Sequence, residues 1–220
     1  MCKRAQSRAV AAPLPAPLPL FPLQSVLFPG GWLRLSVFEP RYLDLMRRCE
    51  ASGEPFGVVG LVEGREVRER DGEGFRRERF HPIGTLAELV SVARPQAGLM
   101  QICARGTRRF RLDASECLPH GLWVGTAELL GLDPAVAVPG EFSSVASLLR
   151  SLLHQLELGA AAAELPIQPP YAWDDCGWLA NRWCELLPLA DAERQRLMQL
   201  DNPLLRLELV ADQLEGLGIH

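Results

Sequence analysis

The sequence predicts an α+β protein: a small closed or curled β-sheet that carries one helix, followed by a bundle of helices. Three observations predict it. From Leu20 to Leu130 apolar residues recur mostly at every second position, the period of a half-buried strand. Beyond Pro139 the spacing becomes helical. Charge divides at the same place, with 15 acids and 18 bases in residues 1–140 against 12 acids and 5 bases in residues 141–220. The expected organisation is an arm over residues 1–17, a β-rich subdomain over 18–138 and a helical subdomain over 139–220.

The elements follow in order. Prolines at 13, 15, 17 and 19 break up the first apolar stretch and predict a flexible, polyproline-like arm rather than a signal peptide. Leu33, Leu35 and Val37 alternate with Arg34 and Ser36 as one strand; Phe56–Val62 reads as a buried strand ending at Gly64. Between them Tyr42, Leu45, Met46 and Cys49 share a helical face, with Pro40 in the first turn and Gly53 as the stop. Further strands are predicted over Ile83–Val92, Leu99–Ala104, Thr107–Leu112 and Leu122–Leu130, with a turn over Arg94–Gly98. Val145, Leu148, Leu149, Leu152, Leu153 and Leu156 form a helical stripe that Ser143 or Ser144 can cap. After a connector over 159–170, Asp174 or Asp175 caps a helix ended by Pro188. Asp191 opens a third helix, and Asn202-Pro203 opens a fourth that ends near Gly216.

Composition excludes several activities. The chain is 220 residues long, 48% hydrophobic and 23% charged, with a net charge of −4, ordinary values for a globular protein. Its only lysine is Lys3, so neither a GxxxxGK[ST] phosphate loop nor a serine–lysine pair can be assembled. The six cysteines lack CxxC or zinc-finger spacing and read as reduced, mostly buried thiols. The four histidines form no HExxH, and no GxSxG occurs. No stretch is long and apolar enough to span a bilayer, and the expected setting is the cytoplasm. The expectation is therefore a non-enzymatic protein without metal or cofactor.

Five strings in order are more specific than any pattern: Pro19-Leu20-Phe21-Pro22-Leu23, then Val26-Leu27-Phe28-Pro29-Gly30, then Val37-Phe38-Glu39-Pro40-Arg41-Tyr42, then Ile83-Gly84-Thr85-Leu86-Ala87-Glu88, then Arg105-Gly106-Thr107-Arg108-Arg109-Phe110. The later Leu186-Leu187-Pro188-Leu189, Gln195, Leu197, Leu200, Arg206-Leu207 and Leu214 extend the series. Over Leu18–Leu214 the chain resembles the amino-terminal substrate-binding domain of the Lon protease family, also seen in cereblon. The resemblance implies a PUA-like barrel followed by a helical bundle. It implies a stand-alone form without the ATPase and peptidase modules, which binds polypeptides rather than cutting them. The implied ligands are exposed apolar segments of unfolded or regulated proteins, with an ATPase or protease acting in trans.

Several stretches are candidate sites. Residues 65–81 carry six arginines among five acids around Asp71-Gly72-Glu73-Gly74 and read as a solvated hairpin. Within it Phe75, Arg76, Arg77 and Phe80 are the candidate partner-binding residues, since aromatic and arginine side chains dominate interface hot spots. Pro29-Gly30 reads as a turn, and Phe38 and Tyr42 as packing residues on either side of Pro40. Arg105, Arg108, Arg109 and Arg111, with no acid among them, read as a solvent-facing strand surface; they also permit the alternative of an RNA-binding PUA-like protein. Trp173, Trp178 and Trp183 read as core.

Overall fold

Six consecutive buried residues, Leu18–Leu23, make β1, a strand apolar on both faces because it is covered on both. The computed structural model describes Leu14 and residues 17–66, 78–159 and 165–219, with the backbone of 70–71 and 74–75; most of the 1–17 arm lies outside these. The remaining strands are β2 (Trp32–Val37), β3 (Phe56–Glu63), β4 (Arg70–Asp71), β5 (Gly74–Phe75), β6 (Arg79–Phe80), β7 (Ile83–Gln96), β8 (Leu99–Cys117) and β9 (Trp123–Leu129). The helices are α1 (Pro40–Ser52), α2 (Ser143–Gly159), α3 (Cys176–Leu186), α4 (Asp191–Gln199) and α5 (Pro203–Gly216).

The sheet is mixed. Its strands pair in the order β1, β9, β8, β7, β3, and β3 returns to β1 in parallel through Leu20↔Gly57 to Leu23↔Gly60, so the pairings run in a ring. β2 lies along the first part of β8, from Trp32↔Arg105 to Val37↔Met100. β6 joins the far end of β3, and β4–β5 form a separate hairpin. The hairpin expected within 65–81 is thus present in the backbone.

Two strand boundaries differ from expectation. β7 continues through Pro95 to Gln96, and the turn shrinks to Ala97–Gly98. Beyond Ala87 the registered partner of β7 is β8 alone, so Pro95 sits on an edge, where its missing N–H can be tolerated. The two strands predicted over 99–112 are one, β8, because β7 follows it along most of its length while β2 hands over to β9 on its other side.

Helix α1 starts at Pro40 and closes at Gly53, whose φ of 72° suits glycine. Its face of Tyr42, Leu45, Met46 and Cys49 packs into a core with Leu23, Phe56, Met100 and Ile102, where Phe21 stacks on Tyr42 at 4.0 Å. Phe38 departs from the packing role expected of it: alternation after buried Val37 turns it outward, and it is 55% exposed. A separate core gathers Leu149, Leu153, Leu179, Trp183, Leu197, Leu207 and Val210 from the four later helices with Phe28 from the sheet side. Asp175 caps α3 through Trp178 N at 2.7 Å, and Asn202 caps α5 through Leu204 N and Leu205 N. No serine caps α2: a 3-10 turn over Gly140–Phe142 runs directly into it.

At Gly84 an added Cβ would meet Val58 O at 2.3 Å and the Phe110 ring at 2.7 Å. Glycine there lets β3 and β7 approach over the buried Phe110. No helix of the described residues is long and apolar enough to cross a membrane.

Candidate functional site

Three arginines close the middle of the seam between sheet and helices. Arg109 reaches out of β8, and its Nη1 donates to the carbonyls of Met198 and Leu200, both at 3.1 Å. These carbonyls lie at the C-terminal end of α4, where helix carbonyls lack partners and concentrate negative charge. Its Nη2 donates to Asp133 Oδ1 at 2.9 Å. Arg206 of α5 approaches the same carboxylate from the helical side, donating from Nη1 to Asp133 Oδ2 at 2.6 Å and to Asn181 Oδ1 at 2.9 Å. Its Nε donates to Leu197 O at 3.0 Å, and its Nη2 to Leu200 O. Arg182 of α3 donates to Pro29 O at 3.0 Å and to Glu185 Oε1 at 2.6 Å. All three arginines are buried.

A buried guanidinium persists only where paired and hydrogen-bonded, so this polar knot specifies how the helices dock. Gln195 adds to it, donating to Ile83 O at 2.9 Å, and Thr85 donates to Leu27 O at 2.7 Å. Glu185 is half-buried, and desolvation pushes its carboxyl up to about 7 although Arg182 pulls it the other way.

Concave surface remains on both sides of the knot. One cleft, about 300 Å³, is bounded by Pro29-Gly30, Thr107–Arg109, Gly131–Asp133 and the start of α3. Leu132 stands 71% exposed at this cleft, and half-buried Trp178 forms another part of its wall. Its charges balance, Arg108 and Arg109 against Asp133 and Asp175. The other cleft, about 310 Å³, runs from Ser25–Leu27 and Trp32–Arg34 to Pro166, Glu185 and Arg194. The middle of the seam is thus occupied by this polar knot beside the apolar helical core, and the two clefts lie at its flanks.

Among the candidate partner-binding residues, the side chains of Phe75, Arg76 and Arg77 lie outside the described residues. Phe80 is half-buried, edge-on to Trp123 with ring centroids 5.2 Å apart, and lines a cavity of about 330 Å³. The arginines of β8 are not one surface. Arg109 is buried because the C-terminal end of α4 covers it, contrary to the solvent-facing reading. Arg108 is half-buried and donates to Leu130 O at 3.0 Å. Arg105 lies 5.9 Å from the Trp32 ring, and Arg111 alone is fully out in solvent. The set therefore cannot act as a continuous phosphate stripe, and the RNA-binding alternative loses its basis.

Asp133, Arg182 and Leu132 were not legible as site residues. Asp133 meets Arg206 across 73 positions of sequence, and no local pattern marks such a pair. None of the described cysteines is in a disulfide; Cys49, Cys176 and Cys184 are buried, Cys103 is half-buried and Cys117 exposed. Burial pushes the Cys49 and Cys184 thiols up to about 11 and about 12, so both are protonated at neutral pH. Among the described residues no group of three or more His, Cys, Asp or Glu side chains is placed to hold a metal ion.

The chain is thus a mixed sheet with helices docked on it and concave clefts beside the docking contacts. Residues 17–216 match the model of the ATP-dependent protease La (LON) substrate-binding domain, and the chain belongs to that family. Lon protease 4 of Sorangium cellulosum is 36% identical over 110 residues, half of this chain and 13% of that protein. The Lon protease of Anaeromyxobacter dehalogenans is 25% identical over 207 residues, 91% of this chain and 23% of that protein. The chain thus spans between about an eighth and a quarter of these relatives' length. Among solved structures, a Lon N-terminal domain protein from Xanthomonas campestris superimposes with a TM-score of 0.65 at 33% identity, covering 89% of this chain and 96% of that one. The N-terminal domain of the Mycobacterium avium complex Lon protease, at 17% identity and TM-score 0.54, shares the fold.

Proposed function

We propose that this chain is a non-catalytic polypeptide-binding module that holds exposed apolar segments of unfolded or regulated proteins. In this reading it works in the cytoplasm as an adaptor in protein quality control and delivers its ligand to an ATPase or protease in trans. The ring of strands is a PUA-like barrel over residues 18–138, and α2–α5 are a helical bundle over 139–220. The observation that carries the reading is the family match to a substrate-binding domain along nearly the whole chain.

The cleft beside the arginine knot is the site we assign to the ligand. Gly131, with open space where a side chain would stand, leaves room for a main chain to come close, and Leu132 and Trp178 offer apolar contact. One leucine-sized ligand side chain buried there contributes about 2 kcal/mol. The balanced charges in the wall make the interaction weakly dependent on salt. The test is equilibrium binding of a labelled, casein-like unfolded protein at two salt concentrations, with single-stranded RNA in parallel. Capture of the unfolded protein at both concentrations supports the reading. Failure to bind it, or binding of RNA that falls steeply with salt, contradicts it.

A further inference from the structure

Where β3 and β6 meet the β8–β9 pair, a second cavity is lined by Glu63, Glu78, Arg79, Phe80, Ser115 and Trp123. Its aromatic wall is the Phe80–Trp123 pair, with ring planes at 88°. Its carboxylate, Glu78, is buried and held at both oxygens: Trp123 Nε1 donates to Oε2 at 2.6 Å, and Arg41 Nη1 to Oε1 at 3.4 Å. Arg41 is shared, however. Its Nε lies 3.2 Å from Glu39 Oε2, and it also donates to the carbonyls of Gly121 and Glu66. Among the described residues, Glu39, Arg41 and Glu78 together carry one negative charge in excess. At the rim Glu63 pairs with Arg79 at 3.3 Å and adds no net charge.

A buried carboxylate at the edge of an aromatic pair, in excess over its cationic partners among the described residues, is complementary to a cation, because ring face and carboxylate attract the same charge. Glu78 has lone pairs to spare after its two bonds. We propose that this cavity takes an arginine or lysine side chain of the bound polypeptide. The preferred ligand is then an unfolded segment that carries a basic residue as well as an apolar anchor. This inference rests on the polypeptide-binding reading and assigns it a second subsite with opposite chemistry.

The test compares two labelled unfolded peptides of one apolar sequence, the first bearing arginines and the second citrulline in their place, against the full chain and its Glu78→Gln and Phe80→Leu variants. The expected result is an arginine preference of about tenfold, the scale of one partly desolvated cation–π contact with its charge pair. It falls below about twofold in either variant, while affinity for the citrulline peptide stays unchanged. Circular dichroism checks that each variant folds, and Phe80→Leu carries the test if Glu78→Gln does not. Equal affinity of the unmodified chain for both peptides overturns the subsite and leaves polypeptide binding standing. Binding of neither peptide overturns polypeptide binding itself. A preference that emerges only when Arg68, Arg70, Arg76 and Arg77 are all changed to Gln assigns the cavity to an arginine of the chain's own 65–81 segment and overturns the proposal.

Discussion

Asp133 lies between two guanidiniums, one brought by the sheet and one by the helices, at 2.9 and 2.6 Å. Removing it leaves buried Arg206 without its carboxylate and Arg109 with the exposed Asp201 at 3.0 Å, which is costlier than removing a surface pair. Asp133→Ala is expected to lower stability by about 3 kcal/mol in urea unfolding, against less than about 1 kcal/mol for the exposed Asp44–Arg47 pair. Glu185 gives a pH dependence whose sign follows from its raised value. Its carboxyl titrates near about 7 in the folded chain and near 4.5 ordinarily, so between those values the folded form holds a proton that the unfolded form has released. This contribution therefore stabilises the fold below about pH 4.5, falls as pH rises through the window and is gone above about 7. Glu185→Gln is expected to flatten that slope in urea midpoints measured from pH 5 to 8. Neither effect was legible in the sequence. Arg182, Glu185 and Arg206 sit in helical segments where charged residues usually face water; Arg182 and Glu185 are covered from the Pro29–Gly31 side, and Arg206 by α3, the end of α4 and Asp133.

At the scale of elements, what could be read depended on locality. The α1 stripe, the Asp175 and Asn202 caps and the stop at Gly53 are decided by neighbours within a few residues, and each stands where the spacing put it. Asn202→Ala is expected to cost about 1 kcal/mol, measured as a lowered urea midpoint, because two N–H groups of α5 lose their acceptor. Strand pairing is not local. β7 and β8 ran past their predicted ends because their partners, far away in sequence, kept supplying hydrogen bonds. Phe110, Gly57 and Gly84 show the same limit, since the space that glycine leaves is filled by a ring more than twenty residues away. Gly84→Ala is expected to destabilise by about 2 kcal/mol or more, because the clash includes the Val58 carbonyl, which cannot rotate aside. A shift of the urea midpoint at unchanged slope would confirm packing strain.

For the whole molecule, the change of period near residue 139 and the ordered strings from Pro19 to Phe110 made the family legible before any coordinate. The site was less so. The centre of the seam between sheet and helices is an arginine–carboxylate knot joined across long stretches of sequence, and the clefts lie at its flanks. The contribution of Leu132 was hidden because a leucine in an unpatterned loop gives no period to read. Its exposure makes it the safest handle on the function, as its replacement disturbs no core. The most direct measurement is therefore the dissociation constant of a labelled unfolded polypeptide for the intact chain and for Leu132→Asp, by fluorescence anisotropy at fixed salt. A charge set at the mouth of the cleft is expected to weaken capture about tenfold, the loss of most of one buried apolar side chain, with the melting temperature unchanged. Equal affinity of the two proteins would contradict the assignment of this cleft.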